Sequence, residues 1–150
     1  MKTLKELLEV KLIPEIFDQC RAAKTSDEVK AIISKNQSPA IWQVMAYAFH
    51  PEVVFDVPVP AYKPDPNPAG LSPNSLFMEA SRIYVFTTKR SDVAIKKRQQ
   101  ILLNILESVH PTEAKVLVDL IKNKAVNVPL LTVELLNSIR PNFLNTFVRK

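Results

Sequence analysis

Ser38-Pro39-Ala40-Ile41-Trp42-Gln43-Val44-Met45-Ala46-Tyr47-Ala48-Phe49-His50-Pro51 is the stretch on which the fold turns. Ser38 is a capping residue, and Pro39 falls at the first helical position, where its missing N–H costs no hydrogen bond. From Ala40 to Phe49 the chain is apolar almost all round, with Gln43 the main interruption. A helix without a polar face has to be enclosed by other elements. The sequence therefore places Trp42 and Phe49 at the centre of a core built from surrounding helices.

Upstream, Leu4, Leu7, Leu8, Leu12, Ile16 and Phe17 recur at three- and four-residue steps, a helical stripe that Pro14 either restarts or kinks. Thr25-Ser26-Asp27-Glu28 opens the next helix: a hydroxyl cap, acids in the first turn and Glu28 three residues after Thr25. Val29, Ile32 and Ile33 are its buried face, and Asn36 is expected as a left-handed stop.

Downstream the pattern changes. Val53, Val54, Phe55, Val57 and Val59 favour extended backbone, yet Pro58 and Pro60 each lack the donor that a central strand needs. Pro64, Pro66 and Pro68 then alternate with Lys63, Asp65 and Asn67, favouring a polyproline-like path. This reads as an extended strap whose apolar first half is pinned down and whose second half, from Lys63 to Gly70, is exposed. Ser72-Pro73 starts another helix through Phe86, and Ser91-Asp92 caps a long one to about Val109. Pro111 with Glu113 opens the next. Pro129 breaks the chain, and Thr132 caps a short helix ending before Pro141. The expected fold is all-α: residues 1–150 as a compact single-domain bundle of about seven or eight short helices, crossed by a proline-rich strap at about residues 51–72.

Composition closes several functional classes. The 150 residues contain one glycine, so the glycine-rich loops that cradle nucleotide phosphates are excluded. One cysteine and two histidines, His50 and His110, leave no multi-thiolate zinc site and no histidine-rich metal site. No cofactor is expected. Charges at Lys2, Lys5, Glu6 and Glu9 interrupt any signal-peptide core, and no apolar run approaches the roughly 18 residues of a membrane span. A cytoplasmic location without membrane contact is expected.

The charge is concentrated. Lys89, Arg90, Lys96, Lys97 and Arg98, against Asp92 alone, give residues 89–98 a net +4 of the chain's +5. Three uses are open to this cluster: a solvated helix face, contacts to nucleic-acid phosphates, or contacts to an acidic protein. No aromatic lies within it, which argues against a platform for stacking single-stranded bases. Tyr62, Lys63 and Asp65 in the strap are candidate partner contacts, since a polyproline path presents side chains at little entropic cost. The alternative reading is that the strap only bridges two helices around the core. His110, beside Glu107 and Glu113, directly precedes Pro111 and reads as a capping histidine rather than a catalytic one, and His50 before Pro51 repeats the pattern. Cys20 reads as a buried, inert thiol. Phe77, Tyr84 and Phe86 read as core. No catalytic residue emerges.

Several stretches together resemble a known family. Ser38-Pro39-Ala40 leading to Ala48-Phe49-His50-Pro51, then Tyr62-Lys63-Pro64, Ile83-Tyr84-Val85-Phe86, the run Leu106-Glu107-Ser108-Val109-His110-Pro111-Thr112-Glu113-Ala114, and Leu131-Thr132 with Pro141 downstream are similar to small uncharacterised proteins encoded by tailed bacteriophages. The chain departs from that pattern at Thr87–Arg90 and at Val128–Leu130. The resemblance implies a phage origin and brings no catalytic residues with it. The expected function is that of a non-enzymatic phage accessory or regulatory protein, acting in the infected host cell by binding a host or phage protein. A nucleic-acid accessory protein using residues 89–98 and a minor virion component are the alternatives.

Overall fold

The apolar helix that dominates the sequence, α3 (Pro39–Phe49), lies at the centre, with eight of its eleven residues buried. Ser38 caps it by accepting from Ile41 N–H at 3.2 Å. Before it come α1 (Ile13–Ala22) and α2 (Ser26–Lys35). After the strap, α4 (Leu76–Glu79) runs into a 3-10 segment, Ala80–Phe86, and a short 3-10 turn, Thr88–Arg90. Then follow α5 (Ile95–Ser108), α6 (Pro111–Asn123), α7 (Val133–Ile139) and α8 (Phe143–Phe147). This is a computed structural model, and it describes residues 12–65, 72 and 74–148. The expectations for Leu4, Leu7, Leu8, Pro66, Asn67, Pro68, Gly70 and Pro73 lie outside the described residues. Among the described residues the fold is all-α, and its only β feature is an isolated bridge between Phe55 and Thr87.

α3 packs against α4, the 3-10 segment, α6 and α8. Trp42 is enclosed by two aromatic rings from α8: Phe143 at 5.5 Å, tilted, and Phe147 at 6.0 Å, nearly parallel. Its indole N–H donates to Gln37 Oε1 at 3.1 Å, so burying the ring strands no donor. One buried cluster runs from Ile13 in α1 to Phe143 in α8.

Several helix ends follow the sequence. Thr25 accepts from Glu28 N–H at 3.2 Å, Thr132 accepts from Leu135 N–H at 3.2 Å, and Pro14 and Pro111 sit in the first turns of their helices. Others do not. Asn36 has φ −117° instead of a left-handed conformation, and its side-chain amide donates to Ile32 C=O at 2.7 Å. Among the described residues the left-handed positions are Lys124, Asn127 and Asn142, so asparagine and a lysine supply the tight turns there. The helix expected at Ser72-Pro73 begins three residues later, where Ser75 accepts from Met78 N–H at 3.3 Å. It tightens to 3-10 after one turn. Phe77, expected in the core, is 36% exposed.

Candidate docking face

The strap is fixed at three successive levels. At its start, Thr88 N–H donates to Val54 C=O at 2.9 Å and Asp56 N–H to Phe86 C=O at 3.2 Å, bracketing the Phe55–Thr87 pair. Val53 and Val57 are buried, and the Phe55 ring lies 6.5 Å from Tyr47 of α3. Further along, Gln99 of α5 donates to Pro58 C=O at 3.0 Å, and Lys63 N–H donates to Glu107 Oε2 at 2.7 Å. The strap thus runs alongside α5 in the same direction. From Arg98 to Glu107 the helix advances about 14 Å, whereas the seven residues from Asp56 to Lys63 would reach about 22 Å in a polyproline path. The chain bends at Val57.

Arg98 is the residue that ties these parts together. Its side chain is 1% exposed, and its guanidinium grips both carboxylate oxygens of Asp56, at 2.6 and 3.1 Å. It also donates to the carbonyls of Val93 at 2.9 Å, Thr87 at 3.3 Å and Val85 at 3.5 Å. The planar fork of arginine suits such a site, and lysine would not reproduce it. This corrects the expectation that Arg98 is a surface contact for phosphate or partner. The buried face of α5, Arg98, Leu102, Ile105 and Leu106, turns it inward. The helix also starts later than Ser91-Asp92 suggests. Its N-cap is Ala94, which offers no side-chain acceptor, while Asp92 is engaged by Arg90 Nε at 3.1 Å.

The rest of the basic cluster therefore divides. Arg90 is paired with Asp92 and lies over the Tyr84 ring at 5.9 Å. Lys89, Lys96 and Lys97 are exposed, and among the described residues none of them forms an ion pair. In the strap, Lys63 and Pro64 are exposed as expected, and Tyr62 is half-buried against the core. Asp65 is buried, which corrects its reading as an exposed contact. A groove of about 340 Å³ opens where the strap meets Thr87–Lys89, walled by Tyr47, His50, Val53, Val54 and Val148. Sequence reasoning missed this groove because its walls come from three separate stretches of chain, and nothing local marks Val54 and Thr88 as neighbours.

The residues with chemical potential have structural partners. His50 Nδ1 accepts from Glu52 N–H at 3.1 Å, and His110 Nδ1 accepts from Thr112 N–H at 3.3 Å. Glu113, 1% exposed, accepts from Leu76 N–H at 2.9 Å and from His110 N–H, so one carboxylate joins the starts of α4 and α6. Burial raises its pKa, and those two backbone bonds counter the rise. Burial pushes the Cys20 thiol up to about 11, with Arg21 opposing. Among the described residues, no three His, Cys, Asp or Glu side chains gather as metal ligands. No helix there is long and apolar enough to cross a membrane.

A family of unknown function, DUF6433, matches residues 16–128. The chain belongs to that family. No curated protein and no solved structure matches it. The DUF6433 span takes in α3, the strap, Arg98 with Asp56, and the three exposed lysines, and it stops short of α7 and α8.

Proposed function

We propose that this DUF6433 protein is a phage-encoded accessory or regulatory protein that acts by binding, and that its partner presents an acidic protein surface. The phage origin rests on the sequence resemblance. The observation that carries the reading is the division of the basic cluster: Arg98 is neutralised internally and Arg90 locally, which leaves Lys89, Lys96 and Lys97 displayed beside a firmly anchored strap. Three lysines on phosphates would give a log–log salt slope of about −3, and duplex-binding proteins that make roughly six to ten phosphate contacts have far steeper slopes. Exposed lysines at the rim of a protein interface need no such number, because they steer association and select register. A role without catalysis is supported by the structural work assigned to both histidines, Glu113 and Cys20.

The test compares the wild-type protein with the triple variant Lys89→Glu, Lys96→Glu, Lys97→Glu in pull-downs from infected cells. A specific protein recovered by the wild type and lost by the correctly folded triple variant is the expected result. Recovery of no specific protein, or unchanged recovery by the variant, contradicts the reading. DNA or RNA binding at about 50 mM salt with a slope well beyond three phosphates would transfer the assignment to nucleic acid.

A further inference from the structure

We propose that the groove beside Val54 is the anchor pocket of this docking face, taking one aromatic or branched aliphatic side chain from a partner segment that carries carboxylates on either side of it. The proposal rests on the protein-binding reading above and names the chemistry of the partner.

The groove's volume, about 340 Å³, lies in the range of ligand pockets, roughly 300–1,000 Å³. Its apolar wall comes from Tyr47, Val53, Val54 and Val148, and its rim carries Glu52, Thr88, Lys89 and Asn145. Val54 is 54% exposed, while Val53 beside it is buried. A branched apolar side chain therefore stands open to solvent at the groove, where a partner's apolar group would cover it. Interface energy concentrates in such central pockets, with charged contacts at the rim.

The walls are already in place. Thr87 Oγ1 donates to Tyr84 C=O at 2.7 Å and accepts from Lys89 N–H at 3.3 Å, and Thr88 N–H is bonded to Val54 C=O. Little ordering cost remains to be met on binding. Arg98 joins the groove to the first turn of α5 through its bond to Thr87 C=O, so Lys96 and Lys97 belong to the same fixed unit as Lys89. The charge on this unit selects an acidic segment. Glu52 is the opposing group at the rim, and it gives the proposal a signed test.

Full-length, nitrogen-15-labelled protein is titrated with a capped five-residue peptide, a phenylalanine flanked by aspartates and glutamates, and with two controls. One control replaces the phenylalanine by alanine, and the other replaces the acids by lysines. Saturable amide shifts at Val53, Val54, Thr88, Lys89 and Asn145 are expected with the first peptide, with at least about tenfold weaker binding for each control. Lys89→Gln should weaken binding several-fold, Glu52→Gln should tighten it several-fold, and Val54→Arg should abolish it. All three positions are exposed, and circular dichroism confirms that the variants fold. The proposal is overturned by an absence of shifts at millimolar peptide, by shifts centred elsewhere, by indifference to the phenylalanine, or by weaker binding in Glu52→Gln. A stable dimer that seals the groove in sedimentation also overturns it. If the peptide fails while the triple lysine variant still loses its protein partner, the docking face stands and the pocket falls. If the pull-down fails as well, the underlying reading falls with it.

Discussion

Replacing Asp56 by asparagine should destabilise the protein by about 3 kcal/mol while leaving its shape almost unchanged. Arg98 would keep its bonds to the carbonyls of Val93, Thr87 and Val85 but lose the one anion paired with it among the described residues, leaving a charged guanidinium in a site where it is 1% exposed. Removing one member of a buried ion pair costs about 3–5 kcal/mol. The Asp56 side chain is 25% exposed, so water screens that side, which places the cost at the lower end. In a domain of this length, about 3 kcal/mol corresponds to a fall in Tm of about 6–12 °C. Arg98→Met should cost as much, because it strips Asp56 and the carbonyls of Val93 and Val85 of the guanidinium, while Thr87 C=O keeps its bond from Arg90 N–H at 3.1 Å. The double variant Asp56→Leu, Arg98→Met removes both charges together and should cost at least about 2 kcal/mol less than the two single changes combined. Equilibrium urea unfolding of the variants, followed by circular dichroism, gives all the terms. If both single changes fall within about 0.5 kcal/mol of wild type, as ordinary surface substitutions do, or if the double variant is simply additive, Arg98 is not an internal latch. It would then return to the candidate surface contacts.

Phe143→Ala should cost about 3–5 kcal/mol, the usual range for a fully buried phenylalanine, and should red-shift the emission of Trp42, the chain's single tryptophan. Unchanged fluorescence would mean that α8 does not cover that ring. Glu113 has a folded pKa raised above its unfolded value, so its favourable contribution is complete below the unfolded carboxylate value and is lost as pH rises through the folded value. The stability of wild type relative to Glu113→Gln should therefore fall as pH rises above the ordinary glutamate value of about 4.3; a difference that grows with pH there refutes the assignment. With its thiol pushed up to about 11 and its side chain buried, Cys20 should resist an aromatic disulfide reagent in the native protein and react once urea unfolds it. Rapid modification without unfolding would show that the thiol is exposed.

The helical frame was legible because each device that encodes it is local. Ser38-Pro39, Thr25 with Glu28, and Thr132 act within one turn of themselves, and the residues they need are at most four positions away. The central place of α3 was legible for a related reason: a helix with no polar face has nowhere else to go. Elsewhere the outcome depended on distant partners. The helix starts at Ser75 and not at Ser72-Pro73, fixed by the bond from Met78, by Asn74 bonding Ser108, and by Glu113 accepting from Leu76. Two of those three partners lie more than thirty residues away along the chain. Likewise α8 was not foreseen, although Phe143 and Phe147 stand one turn apart, because a five-residue helix is stable only against the tryptophan it covers.

The sequence by itself determined the helix class, the caps at Thr25, Ser38 and Thr132, the central helix and the extended course of a segment that prolines keep out of any regular sheet. It also placed five cations within ten residues, and there its reach ended. Only the tertiary structure decided that Arg98 points inward while Lys89, Lys96 and Lys97 point outward, and that Val54 meets Thr88 across a groove. The physical reason is that capping, helical periodicity and proline geometry are short-range effects, fixed by neighbours along the chain. The burial of a charge depends on whether its counter-ion arrives from elsewhere, and Asp56 lies forty-two residues before Arg98.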